Sequence, residues 1–420
     1  MRIPVCAARA LALALISAPG LAPMPAQALS LAEVESQAMH HNPSLAAARQ
    51  GVAIARGLAR QDRLWPNPRL SISGGSGNAL GSPGEFSTRV MLTQAVPLTS
   101  RIARHAAIGQ AAVRRAQDAF ETQAWQLRGQ VARRYAQWRS AIAAVTRAKR
   151  LLARNHVLMQ LVVARVHAAQ ISPLGLSSAR LLQAQARLLE STWRARRHAA
   201  KAALIALVGD RPHRDWSPPR PSRWQPPAAT LAPIAALTRR PDLRLAASER
   251  RYRQSMHRYQ RARRLGWMTI GAGVALDRQV LRGVPPQPID RSIELSASLP
   301  LPFWNRNQGN RSAAAARVVQ ARTRLQALRW RIRHDVARDL FTLQRLQARE
   351  RRLARLCKQA RHATALALQG LRLGQVHTAS ALAVFTDQLT LTAAYLKTKA
   401  ATADARTTLR IALGGPKETS

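Results

Sequence analysis

The sequence has little cysteine, few carboxylates and almost no lysine. Its cysteines are Cys6 and Cys357, and 20 acidic residues face 66 basic residues, of which only six are lysine. Because Cys6 lies in a predicted leader, the mature chain keeps one cysteine, which excludes an internal disulfide. The sequence also lacks a Gly-rich phosphate loop, a Cys/His cluster and a nucleophile elbow. We therefore assign no catalytic, cofactor-binding or metal-binding residue and expect a protein that is not an enzyme.

Long apolar runs are missing as well, since no segment after the N-terminus offers ~20 uninterrupted apolar residues for a spanning helix. Residues 1–28 have the pattern of a secretory signal: Arg2 and Arg9 precede the short apolar stretch 11–18, and Ala26–Ala28 has the small-x-small form of a cleavage site. We expect cleavage near Ala28. The exported chain is then either soluble outside the cytoplasm or inserted into a membrane as β-strands.

The formal charge of +46 is spread along the whole chain. A clustered basic patch would favour nucleic acid, because arginine neutralises phosphates. A dispersed excess of arginine is also compatible with coding bias, or with an acidic exterior in which carboxylates lose their charge and arginine keeps it. The dispersion and the export signal together argue against a nucleic-acid partner.

Two segments repeat about 205 positions further along the chain. Gln94–Arg101 corresponds to Leu299–Arg306, and Gln170–Ser172 corresponds to Gln375–His377. A period of this length indicates a duplicated structural unit. The chain accordingly divides into a first repeat (29–210), a Pro-rich linker (211–233), a second repeat (234–413) and a tail (414–420).

Each repeat contains two candidate strands with period-two alternation of apolar and small or polar residues. They cover residues 69–73 and 85–96 in the first repeat, and 268–277 and 292–301 in the second. Two of them approach ten residues, near the length that crosses a bilayer as a tilted strand. The alternative is a soluble sandwich whose polar face meets water, but such a sheet would normally pack a helix on its apolar face.

Long helices follow the strands. The spacing of apolar residues predicts long helices over 101–170 and 307–374, each without an internal proline, and return helices over 177–208 and 379–413. Narrow apolar stripes of this length indicate coiled-coil packing. An earlier helix begins at Ser30, with Glu33 completing a capping box, and extends to about Trp65, with Pro43 kinking or dividing it.

Four strands cannot close a membrane barrel, and bare strand edges cannot face lipid. Three chains would supply twelve strands around a wide lumen. We therefore expect a mainly helical protein whose long antiparallel hairpins continue a shared β-barrel as a long tube. On this interpretation Arg89, Thr269, Glu294 and Ser296 line the lumen.

Three motifs resemble one known family. Ser30–Val34 followed by Asn42–Leu45 is similar to the opening helix of the TolC family of outer-membrane factors, and Arg240–Leu243 is similar to the opening of that family's second half. Leu299–Asn310 resembles the strand-to-helix corner of its heavy-metal (CzcC-like) branch. The resemblance extends over essentially the whole mature chain.

This resemblance implies a homotrimer with a twelve-stranded β-barrel in outer-membrane lipid and a periplasmic α-barrel formed by the helical hairpins. It also implies a periplasmic adaptor and an inner-membrane resistance-nodulation-division (RND) pump as partners. It also implies a passive exit duct, with metal cations as a possible cargo. The aperture and adaptor contacts would lie at the two hairpin turns, at Gln170, Ser172, Pro173, Gly175, Gly374, Gln375 and His377. The competing hypothesis is a soluble periplasmic adaptor, which would carry one hairpin nested in β-rich domains.

Overall fold

The computed structural model describes residues 30–77, 83–209, 232–280, 284–285 and 287–415. The predicted leader, most of the linker and most of the tail lie outside these ranges. In chain order the elements are α1 (Leu31–His41), α2 (Pro43–Gln61), β1 (Arg69–Ser76), β2 (Phe86–Pro97), α3 (Arg101–His167), α4 (Pro173–Val208), α5 (Ala232–Arg239), α6 (Pro241–Ala262), β3 (Trp267–Arg278), β4 (Asp290–Ser298), α7 (Gln308–Arg372) and α8 (Thr378–Ala412).

Two very long helices dominate the structure. α3 has 67 residues and α7 has 65, so each is about 100 Å long at ~1.5 Å per residue. α3 packs against α4 and α7 packs against α8, which gives two antiparallel hairpins. Among the helices in the described ranges, none combines the length and the apolarity that a membrane-crossing helix requires.

The first predicted helix is two helices. Pro43 occupies the first turn of α2, where its missing N–H costs nothing, and the Asn42 side chain accepts a hydrogen bond from the Ser44 N–H at 3.0 Å. α2 ends at Gln61, before the predicted end at Trp65. The residues that follow lead into Pro66 and Pro68, and the segment before a proline avoids helical backbone.

The hairpin helices differ from prediction by a few residues at the turns. α3 and α7 end at His167 and Arg372 rather than at 170 and 374. α4 begins at Pro173 rather than at 177, because a proline in the first turn starts a helix readily. The last two residues of the predicted linker, 232 and 233, belong to α5.

The duplication is visible in the cores. Leu127, Val131, Tyr135, Leu204 and Val208 form one buried cluster with α1 and α2. Ile332, Val336, Leu340, Leu409 and Leu413, each 205 positions later, form the equivalent cluster with α5 and α6. Before the strands the offset is 198, since Pro43 and Arg69 correspond to Pro241 and Trp267. The difference, 205 − 198 = 7, places seven extra residues in the second strand–loop–strand segment.

The two hairpins share a core near their turns. Val162 of α3, Leu182 of α4, Leu371 of α7 and Phe385 of α8 are buried in one cluster. Phe385 is among the largest fully buried side chains of the described residues. The hairpin ends therefore pack as one body within the chain.

An ion-pair cluster joins α3 to α6. The Glu249 carboxylate accepts hydrogen bonds from Arg115 at 3.0 Å and from Arg253 at 2.7 Å. Burial by itself would raise the pKa of Glu249, but the bonds from Arg253 and Arg115 outweigh it and hold the pKa below its ordinary value. The contribution of this cluster to folding stability is fully present above the unfolded-state pKa of Glu249. It is lost as the pH falls through the lower pKa that Glu249 has in the folded state.

The strands form one antiparallel sheet in the order β1-β2-β3-β4. β4 ends at Ser298 rather than at the predicted residue 301. Pro300 and Pro302 explain the early end, because proline has no N–H to donate to a neighbouring strand. The outer edges of β1 and β4 have no strand partner within the described chain.

Candidate functional site

One face of the sheet is polar and carries all four residues predicted to line a lumen. The register pairs Met91 with Gly273 and Gly273 with Glu294, and residues paired across an antiparallel sheet share a face. By the same register Arg89, Thr269 and Ser296 lie on the face of Glu294. The structure therefore brings these four predicted residues to one surface.

An ion pair crosses the middle of this polar face. Arg89 Nε lies 2.6 Å from Glu294 Oε2, and the two side chains span β3 from β2 to β4. They cover Ala275, whose side chain is 1% exposed. The pair places one positive and one negative charge side by side near the middle of a face that also carries Met91 and, towards its ends, Arg69 and Asp277.

Two glycines make room on the polar face. A Cβ added at Gly271 would meet the Ser296 hydroxyl at 2.6 Å, and one at Gly273 would collide with the Val90 carbonyl oxygen. Glycine is thus required at both positions by the close approach of neighbouring strands. The polar face is therefore shallow at these two glycines, which lie between Thr93 and Met91 on β2 and Ser296 on β4.

The opposite face of the sheet is apolar and uncovered. Ile293 and Leu295 are 83% and 82% exposed. The other exposed apolar side chains on this face are Leu70, Ile72, Leu92, Ile270, Val274 and Leu276. No described helix packs on this face. A soluble sheet does not leave such a surface in water, so the predicted soluble-sandwich alternative does not fit.

The two hairpin turns have the same backbone geometry. The Gln170 N–H donates to the Arg165 carbonyl at 2.9 Å, and the Gln375 N–H donates to the Gly370 carbonyl at 2.8 Å, 205 positions later. Ala169 and Gly374 both have positive φ, 54° and 76°. These are the bonds and the left-handed residue of a Schellman-type helix end.

The predicted aperture residues are at or beside these turns. Gln170, Ser172, Gln375 and His377 are exposed, and neither Ser172 nor His377 uses its side chain to cap the helix that follows. Pro173 and Gly175 lie inside the first turn of α4 rather than in the connection. Gly374 is exposed, and a Cβ there would meet nothing within 4 Å.

Sequence reasoning missed three features of the turns. Leu174 and Leu373 are 75% and 63% exposed, so each turn presents an uncovered leucine. Arg165 donates a hydrogen bond to the Leu371 carbonyl and so connects the two hairpins. The leucines could have been found from their position beside the turns, but the bond depends on how the hairpins pack together.

The two turn residues with positive φ, Ala169 and Gly374, lead to opposite predictions for folding stability. Ala169→Gly is expected to stabilise the hairpin by roughly 1 kcal/mol, because alanine pays a steric cost at positive φ that glycine does not. Gly374→Ala is expected to destabilise it by about the same amount. Urea unfolding followed by helical circular dichroism measures both changes. Equal midpoints for both variants would contradict the assigned backbone geometry.

Carboxylates that could act as catalytic acids or metal ligands are instead paired with arginine. Arg338 contacts Asp335 at 3.1 Å and Asp339 at 3.2 Å, so these carboxylates are paired with arginine along the helix. Across the described ranges, no three His, Cys, Asp or Glu side chains are grouped as metal ligands would be.

Comparison with known proteins gives one family and several solved structures. The family model described as outer membrane efflux protein matches residues 34–210 and 232–415. No curated protein matches the sequence. One similar solved structure is that of CusC, which was studied for the conformational changes that accompany folding and transmembrane channel formation. It aligns with this chain at a TM-score of 0.76 and 19% sequence identity, and the alignment covers 92% of each chain.

Two further solved structures have the same fold. VceC, an outer membrane protein from Vibrio cholerae, has a TM-score of 0.73 and 19% identity, covering 92% of this chain and 97% of its own. The open-state MtrE outer membrane channel from Neisseria gonorrhoeae has a TM-score of 0.72 and 20% identity, covering 92% and 89%.

Proposed function

Because this chain belongs to the outer membrane efflux protein family, we propose that it is the exit duct of a tripartite efflux system. Three copies would share a twelve-stranded barrel in the outer membrane and continue as a helical tube into the periplasm. The observation that carries this proposal is the sheet, with its uncovered apolar face and its two unpaired edges.

The sheet edges argue for assembly. An unpaired N–H or C=O in lipid costs several kcal/mol, so β1 and β4 need partners there. In an antiparallel sheet of four strands, β1 and β4 run in opposite directions. The β4 of one copy can therefore pair in antiparallel fashion with the β1 of the next, and three copies close a ring of twelve strands.

Within this duct the polar face, with Arg89, Thr269, Glu294 and Ser296, would line the lumen, and the apolar face would meet lipid. Transport would be passive, so the chain would have no catalytic or cofactor-binding residue. The predicted secretory leader, cleaved near Ala28, would direct the chain to the periplasm.

The proposed partners are a periplasmic adaptor and an inner-membrane RND pump. The adaptor would bind the hairpin turns, where Leu174, Leu373 and His377 are exposed. The similarity of Leu299–Asn310 to the heavy-metal branch supports metal cations as the cargo. The soluble-adaptor alternative expects a single hairpin nested in β-rich domains, which two hairpins joined to one four-stranded sheet do not fit.

Gly175→Trp tests the docking assignment. A Cβ at Gly175 would make only an ordinary contact with Ile171 at 3.6 Å, so a larger side chain can be accommodated in the protein but would obstruct the turn. We expect loss of cellular export of metal ions, at least about tenfold, with an unchanged amount of trimer. Metal accumulation in cells expressing the complete system is the measurement.

Gly51→Trp is the matched control. Gly51 lies on α2, where an added Cβ would meet nothing within 4 Å, and it is far along the chain from both turns. Export by this variant should equal that of the native chain. Normal export by Gly175→Trp would remove the docking assignment, and loss of export in both variants would show that the effect is not local to the turn.

A further inference from the structure

A basic cavity lies between the two helical hairpins, outside the sheet and the turns. It has a volume of about 210 Å³ and is lined by α3, α7 and α8. Four solvent-exposed arginines line it: Arg147, Arg150, Arg154 and Arg361. One water needs only roughly 10–15 Å³, so the cavity has space for a small ion with bound water.

The cavity contains no compensating negative charge. None of its lining residues is acidic, and the ion pairs within the described chain use other arginines. Arg147 lies over the Tyr395 ring at 4.7 Å, and Arg361 donates from Nε to the Cys357 carbonyl at 3.1 Å. Both contacts leave the guanidinium charges without a carboxylate.

A buried amide with an unused acceptor lies in the cavity wall. Gln388 is 1% exposed, and its Oε1 has no hydrogen-bond partner in the described structure. An unsatisfied buried acceptor costs about 1–3 kcal/mol. A ligand that brings a proton to this oxygen would remove that cost.

The remaining polar groups of the wall add no charge. The Cys357 thiol is hydrogen-bonded to Thr392, and burial raises the pKa of this thiol despite the opposing effect of Arg147. The thiol is therefore neutral at physiological pH. The cavity thus combines several guanidinium donors with one buried acceptor and no anion.

We propose that this cavity binds a small protonated oxyanion of the hydrogen phosphate type. Guanidinium groups bind tetrahedral oxyanions through paired, charge-assisted hydrogen bonds. The proton of hydrogen phosphate can be donated to Gln388 Oε1, whereas sulfate at neutral pH has no proton to donate. The bound anion would also offset the concentrated positive charge of the four arginines.

The ligand is a free ion rather than a lipid headgroup. Arg150 lies about 75 Å along α3 from the end that follows β2. A bilayer, including its headgroups, is only ~40–45 Å thick. Lipid surrounding the sheet therefore cannot reach the cavity.

Equilibrium dialysis of the full chain in detergent, with radiolabelled inorganic phosphate in chloride buffer, tests the proposal. We expect saturable binding of one phosphate per chain. The double variant Arg150→Gln/Arg154→Gln should weaken binding by at least about tenfold, because each charged hydrogen bond contributes roughly that factor. Arg187→Gln/Arg355→Gln, which removes two exposed arginines outside the cavity, should change affinity by less than about twofold.

Gln388→Leu separates specific recognition from charge. It changes no charge and should lower phosphate affinity several-fold while leaving weaker sulfate binding unchanged. Absence of saturable phosphate binding would overturn the proposal, as would equal weakening by the control pair, which indicates a diffuse positive field. Equal binding of sulfate and phosphate by the native chain would overturn the role of Gln388. None of these measurements depends on export, so they stand apart from the proposed duct.

Discussion

Replacing Leu295 with arginine is expected to abolish most of the membrane-inserted trimer. Leu295 lies near the middle of β4 on the apolar face and is 82% exposed in the single chain. If this face meets lipid, an arginine near the bilayer midplane costs about 2–4 kcal/mol in each copy. Three copies carry the penalty together, so the trimer band recovered from outer membranes should fall by well over tenfold.

Ser296→Arg is the matched control for this prediction. Ser296 is the next residue of the same strand, is also exposed, and lies on the polar face. An arginine there would project into the water-filled side of the barrel and should leave the trimer largely intact. Equal losses in the two variants would contradict the assignment of one face to lipid and the other to water.

Phe385→Ala is expected to loosen the hairpin ends by about 3–5 kcal/mol. Phe385 is 2% exposed and packs in the cluster that α3, α4, α7 and α8 share near the turns. Truncation would leave a cavity there that neighbouring helices fill only partly. The loss should appear as a lower urea midpoint for the helical circular dichroism signal and as faster amide exchange in α8.

Phe385→Leu should cause a smaller loss of stability than Phe385→Ala. Leucine keeps most of the buried volume, and such exchanges usually cost less than about 1.5 kcal/mol. A loss below about 1 kcal/mol for Phe385→Ala, or equal losses for both variants, would indicate that the two hairpins do not share a packed core at their ends.

The sheet could be predicted from sequence because its signal is local. Period-two alternation in 268–277 predicts β3 and its two faces, and the four predicted lumen residues lie on one face. The end of β4 was predicted wrongly because the alternation continues past Ser298. The missing N–H groups of Pro300 and Pro302 override that pattern.

The hairpin turns show a second limit of prediction from the sequence. The offset of 205 identified both turns from sequence, and the helix-ending hydrogen bonds repeat at the same offset. The sequence did not reveal that alanine at 169 would adopt positive φ, because this conformation is typical of glycine. The available signal was that residue 169 of the first repeat corresponds to Gly374 of the second.

The cavity and the inter-hairpin bond could not be predicted at all. Arg154, Arg361 and Gln388 belong to three helices that are distant in sequence, and each arginine resembles the many others of this basic chain. Only the packing of one hairpin against the other brings them together. Periodicity defines each helix face but does not give the relative position of two hairpins.

The proposed duct depends on the assembly of three incomplete sheets into one wall. Native mass spectrometry of the mature full-length chain, extracted from outer membranes in mild detergent, measures this directly. We expect a particle with the mass of three chains. A homogeneous monomer, or a chain recovered entirely in the soluble periplasmic fraction, would contradict the account.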